Sequence, residues 1–146
     1  YMQKANWEKA VFHFKESLKT PAISTPQQIH NWLALCYYAQ NNYALSEQEW
    51  INALNIEDNA MIRLNLAMAY RDQGRFDSAF ESLQKALALD PNLSQAHHHL
   101  ALLSLKKNDI ENAKTHFQET IRLAPKSELA TSSNEYLNRL GIKEKK

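Results

Sequence analysis

The chain has 146 residues, 44% of them hydrophobic, with 2 Gly, 4 Pro, 1 Cys and a formal net charge of +1. That length and apolar share suffice for one domain with its own core, and the scarcity of Gly and Pro favours helices over strands. The near-zero charge gives no field to draw nucleic acid or an anionic membrane, no apolar run reaches the roughly 20 residues of a membrane helix, and a lone cysteine closes no internal disulfide.

The first stretch, NWEKAVFHFKESL (6–18), spaces Trp7, Ala10, Phe14 and Ser17 three and four residues apart, the pattern of an amphipathic helix. A linker follows, in which Thr25-Pro26-Gln27-Gln28 reads as a capping box with proline at the first helical position. HNWLALCYYAQ (30–40) predicts the next helix, broken at Asn41 before ALSEQEWINAL (44–54). Cys36 sits in the apolar part of that helix, where a thiol serves as a small buried hydrophobe rather than a nucleophile.

RLNLAMAYRDQGRFDSAFESLQKALALDP (63–91) and HHHLALLSLKKNDIENAKTHFQETIRLAP (97–125) then align residue for residue. Leu66-Ala67 falls on Leu100-Ala101, Gly74 on Asn108, Ala79 on Ala113, Leu83 on Phe117 and Pro91 on Pro125, each 34 residues apart. Upstream, Leu33-Ala34, Tyr37, Asn41, Ser46 and Trp50 repeat the pattern, and Ala10, Phe14 and Ser17 start it once more. Small residues (Ala34, Ala67, Ala101; Ser46, Ala79, Ala113) mark where two helices approach closely, and Trp50, Leu83 and Phe117 fill the space beside them. Asn41, Gly74 and Asn108 share one position between paired helices, suited to the left-handed conformation that ends a helix.

A period of 34 carrying W-x2-L-G-x2-Y, A-x3-F and P resembles the tetratricopeptide repeat. The third unit reads Arg63-x2-Leu66-Ala67-x2-Tyr70, Ala79-x3-Leu83, Pro91, and the fourth His97-x2-Leu100-Ala101-x2-Ser104, Ala113-x3-Phe117, Pro125. The resemblance implies an all-α fold, a right-handed superhelix of antiparallel helix pairs. Its spans would be a partial first repeat plus linker (1–26), repeats at 27–59, 60–93 and 94–127, a capping helix (128–141) and a frayed tail (142–146), together one domain. The capping helix would keep Leu129, Tyr136, Leu137 and Leu140 on its apolar side and show a polar face outward, as the end of a stacked array requires. Tyr1 aligns inside a first helix whose beginning is absent, so the missing signal peptide fixes no compartment and the cytoplasm is only the default.

In this family the first helix of each pair lines a concave groove where partners bind. Carried over by position, the groove residues are Asn31, Trp32, Leu35, Leu64, Asn65, Met68, Arg71, His98, His99, Leu102 and Lys106, with Met61 beside them. That trough is uncharged and partly apolar, suited to an amphipathic helix or extended apolar peptide of another protein, with binding little affected by salt. Family members that clamp an acidic chaperone tail draw Lys and Asn from one repeat, Asn from the next, and Lys and Arg from the third. This chain has Asn31 and Leu35, then Asn65, then Gln95 and His99 at those places, and without the cations the specialisation is not carried over.

The run His97-His98-His99 is not a metal site. Successive helical residues point about 100° apart, a helical pair of ligands needs i and i+4, and the i+4 residues are Ala101, Leu102 and Leu103. His97 falls at the packing position shared by Arg63 and His30, with His98 and His99 directed inward. Catalytic residues, metal ligands and cofactor loops are not found: there is no nucleophile elbow, paired carboxylate or glycine loop. The sequence therefore reads as a non-catalytic interaction module, a scaffold or assembly factor. The alternatives it leaves are a repeat domain appended to a larger enzyme, or self-association into a homo-oligomer.

Overall fold

The computed structural model describes residues 4–22 and 24–141. The expectations placed on Tyr1 and on the 142–146 tail lie outside the described residues. Among those residues the chain forms eight α-helices and no strand: α1 (Lys4–Leu18), α2 (Pro26–Ala39), α3 (Tyr43–Ile56), α4 (Ala60–Asp72), α5 (Phe76–Leu89), α6 (Ser94–Lys106), α7 (Ile110–Leu123) and α8 (Glu128–Arg139). They divide into two compact units, Tyr1–Ser82 and Leu83–Lys146, with the boundary inside α5.

In the first unit α2 pairs with α3, α4 packs on α3, and α1 packs on α2. The core gathers Ala34, Trp50, Ala53, Ile62, Leu66 and Ala69, with Tyr38, Ile51, Leu54 and Tyr70 at its rim. Ala34 and Ser46 are fully buried, so the α2–α3 pair can close around the Trp50 ring. Trp50 keeps its indole N–H satisfied by donating to Asn31 Oδ1 at 2.9 Å. A second cross-helix bond runs from Ser82 Oγ to the Arg63 carbonyl at 2.8 Å.

In the second unit α6 pairs with α7, and α8 closes on α7 with a smaller contact to α6. Ala101, Ala113, Phe117 and Leu137 form the core, and Tyr136 stacks parallel on Phe117 at 5.0 Å between centroids. The same step recurs in both units. His30 meets Glu49, Asn31 meets Trp50, Arg63 meets Ser82 and His97 meets His116, always 19 residues on from a first helix to its second.

The breaks are where the repeat placed them. Asn41 and Asn108 take φ of 58° and 59°, and Gly74 takes 74°, each one residue past a helix's C-cap. Three-residue turns follow the same rule: Gln40–Asn42, Gln73–Arg75 and Lys107–Asp109 each separate a first helix from its second. One local expectation fails. Thr25 is the N-cap of α2 and Pro26 follows it, yet the Thr25 side chain makes no capping bond. Gln27, the residue before the box glutamine, reaches instead to Glu57 at 3.0 Å. Side-chain caps come from Asn42, Asn59, Asp109 and Ser127, whose oxygens accept from Leu45, Ile62, Asn112 and Ala130.

Ala79 is fully buried, and a leucine there must displace its neighbours. Ala79→Leu is expected to cost about 1–3 kcal/mol and to lower the thermal unfolding midpoint; an unchanged midpoint would contradict this packing.

Candidate binding site

The structure sorts the predicted groove residues into three groups. Trp32 and Leu35 are open, 43% and 41% exposed, as is Met61 at 45%. Asn31, Asn65, Met68, Arg71, His99 and Leu102 are half-buried, and Lys106 is exposed. Leu64 and His98 are buried, each only 5% exposed, and this corrects their place in the groove.

The corrections have physical causes. His98 is held inside the second unit: its Nδ1 lies 3.1 Å from Ser133 Oγ on α8, and its ring meets Phe117 edge-on at 5.8 Å. The capping helix therefore takes the histidine that the repeat pattern directed inward. Leu102 also leans on the core of Ala101, Ala113, Phe117 and Leu137, which limits what it offers a partner. Asn31 spends its carbonyl on the Trp50 indole. Arg71 donates Nε to Asp72 at 2.9 Å, and the same carboxylate accepts from the Tyr38 hydroxyl. Burial first, and the Asp72 hydrogen bond second, push the Tyr38 phenol up to about 12, so it stays a donor and ties α2 to α4.

Sequence reasoning missed the company that Trp32 and Leu35 keep. With Trp7, Ala10 and Phe14 of α1 and Cys36 of α2 they line an open cleft of about 520 Å³ with almost no polar surface. The Trp32 ring lies 5.5 Å from Phe14. The signal was in the sequence, since Trp7 and Phe14 stand at the repeat's packing positions, but spacing alone did not reveal that this face lies open. Cys36 is 4% exposed and burial raises its thiol pKa, in keeping with a packing role.

His97 is buried at the α6–α7 junction. Its Nε2 donates to the Pro91 carbonyl at 2.9 Å, which leaves Nδ1 to accept from His116 Nδ1 at 3.0 Å when both rings are neutral. Protonating both would set two N–H groups face to face. Among the described residues no group of three or more His, Cys, Asp or Glu converges to hold a metal.

Burial lowers the pKa of His98, and burial with the nearby His97 lowers that of His116. A histidine depressed in the folded state binds fewer protons than in the unfolded chain, so stability is complete above the ordinary value of 6.5 and falls as pH drops below it. The thermal midpoint of the second unit is expected to be lower in mildly acidic than in neutral buffer. His98→Asn should flatten that dependence, and an equally steep profile in the variant would contradict it.

Family models described as tetratricopeptide repeat match residues 1–61 and 94–127, and one described as TPR repeat matches 67–107. The chain is similar to peptidyl-prolyl cis-trans isomerase FKBP4 of Rattus norvegicus, 28% identical over 123 residues, covering 84% of this chain and 25% of the relative. It thus spans about a quarter of that protein's length. Among solved structures, MamA superposes with a TM-score of 0.78 at 19% identity, covering 97% of this chain and 86% of that one. The first TPR of Spaghetti (RPAP3), bound to the HSP90 peptide SRMEEVD, gives 0.73 at 17% identity, covering 83% and 98%. These likenesses show the fold. No described helix is long and apolar enough to cross a membrane.

Proposed function

The chain belongs to the tetratricopeptide repeat family, and from that premise we propose a non-catalytic scaffold that holds a peptide or helix of another protein against its first helices. The observation that carries this reading is the exposure of Trp32, Leu35 and Met61 on α2 and α4, while most apolar side chains of those helices are buried. Large apolar groups left in water are the usual mark of a docking surface. Asn65, Met68 and Arg71 lie half-open on α4; on α6 of the second unit His99 and Leu102 are half-buried and Lys106 is exposed.

The chemistry favours an apolar ligand over an acidic one. The RPAP3 domain holds a peptide ending in Glu-Glu-Val-Asp. Here Asn31, Gln95 and His99 stand where the acidic-tail clamp needs cations, and Arg71 is already engaged with Asp72. An amphipathic helix meets this surface without stranding charges.

The test is affinity capture with the wild-type chain and with Met61→Glu, keeping only proteins lost in the variant. The expected loss is roughly tenfold in affinity for the captured partner, with the helical spectrum unchanged. Affinity should also change less than about twofold between low and high salt, because no screened ion pair carries it. A steep fall with salt would reject an apolar mode of binding.

A further inference from the structure

The first unit holds three arginines, and each donates to a carboxylate. Arg63 meets Asp58 through Nε and Nη2 at 2.5 and 2.9 Å, Arg75 meets Glu47 through Nη1 at 2.7 Å, and Arg71 meets Asp72 through Nε at 2.9 Å. Arg63 stands at a packing position, and Arg75 also lies over the Tyr70 ring at 4.5 Å. Arg71 differs in its place. It is the one cation among the residues set on the partner face of the first unit, so whatever neutralises it decides the charge that this face offers.

Asp72 is held from two sides. Its Oδ1 accepts from Arg71, and its Oδ2 accepts from the Tyr38 hydroxyl of α2. Tyr38 is fixed in turn, its ring meeting Trp50 at 5.8 Å and Tyr43 at 5.4 Å between centroids. With a phenol from another helix on one oxygen, the carboxylate stays where the guanidinium meets it. The Arg71 and Asp72 side chains are 35% and 25% exposed, so salt screens this pair less than one standing fully in water. The repeat itself does not demand the arrangement. At the equivalents of Arg71 and Asp72 stand Tyr38 and Ala39 one repeat earlier, and Leu105 and Lys106 one repeat later.

We infer that Asp72 sets the specificity of the α2–α4 face: it cancels Arg71 in place, so the face turns away ligands that bring carboxylates and admits those that bring uncharged or apolar groups. The inference rests on the partner face proposed above and names the residue that chooses among partners for it. A carboxylate arriving at Arg71 finds the guanidinium engaged and a like charge beside it. To bind, it must displace Asp72 from both Arg71 and Tyr38, whereas an uncharged group displaces neither.

The test uses the 146-residue chain and two forms of one peptide: SRMEEVD, and SRMQQVN with its C-terminus amidated. NMR titration, which follows weak binding, compares their affinities. The wild-type chain should not prefer the acidic form. Asp72→Asn keeps an oxygen for the Tyr38 hydroxyl but loses the charge. It should favour the acidic form about fivefold at low salt, the size of one partly exposed ion pair, and lose that preference at high salt. Adding Arg71→Gln should restore the wild-type ratio. Asp77→Asn on α5 makes the same change in net charge and should leave the ratio alone. Tyr38→Phe keeps every charge and should give part of the gain, so it carries the test if Asp72→Asn melts early. An unchanged ratio in Asp72→Asn and Tyr38→Phe, a preference that persists without Arg71, or an equal gain from Asp77→Asn would overturn the inference. So would a wild-type preference as large as the variant's. Partner capture that survives Met61→Glu counts against the partner face and leaves these ratios untouched, so the two proposals fail separately.

Discussion

Leu64→Arg is expected to unfold the first unit, whereas Leu35→Arg leaves it folded. Both leucines were placed on the groove by repeat position, and on sequence alone the two substitutions should look alike. Leu64 is 5% exposed and Leu35 is 41% exposed, and that difference decides the outcome. An arginine at Leu64 loses the leucine's burial and brings a charge into a buried position, a penalty of about 3–5 kcal/mol. At Leu35 the guanidinium stays in water and the cost is within about 1 kcal/mol. Thermal melts by circular dichroism separate the two. Similar midpoints for both variants would contradict the burial on which the site is built.

Phe117→Ala is expected to remove about 3–5 kcal/mol from the second unit. The ring is fully buried, stacked on Tyr136 and met edge-on by His98, so its loss opens a cavity among α6, α7 and α8 at once. With α8 no longer wedged against α7, the Ser133–His98 contact goes too. Denaturant unfolding gives the cost directly, and a change below about 1 kcal/mol would mean that the capping helix contributes little.

Most of the fold was legible because the repeat is periodic, and periodicity survives substitution. Ala34, Ala67, Ala101, Ser46, Ala79 and Ala113 were assigned to close helix approaches, and all six are fully buried. Asn41, Gly74 and Asn108 were assigned to one turn position, and all three take positive φ. These assignments rest on steric demands that each position meets locally.

The site was less legible, because exposure depends on what stands next to a helix. His98 follows the pattern of an inward residue, yet α8 presents Ser133 to it, a pairing 35 residues away that no repeat period encodes. Leu64 is buried although the same pattern leaves Leu35 open. The Thr25 box also misled: its sequence suits a cap, but the bond is not made. By contrast, the 19-residue step linking His30 to Glu49 and His97 to His116 was present in the sequence from the start. It is recognisable only once the helix pairs are seen in contact.

The account rests on the first helices, not the second, presenting the surface that holds a partner. A photo-crosslinking amino acid placed at Met61 on α4, and in a separate variant at Leu45 on α3, tests it directly, since these side chains are 45% and 44% exposed. Crosslinks to the captured partner from position 61 and none from position 45 are the predicted result. Adducts from position 45 alone, or equally from both, would contradict it.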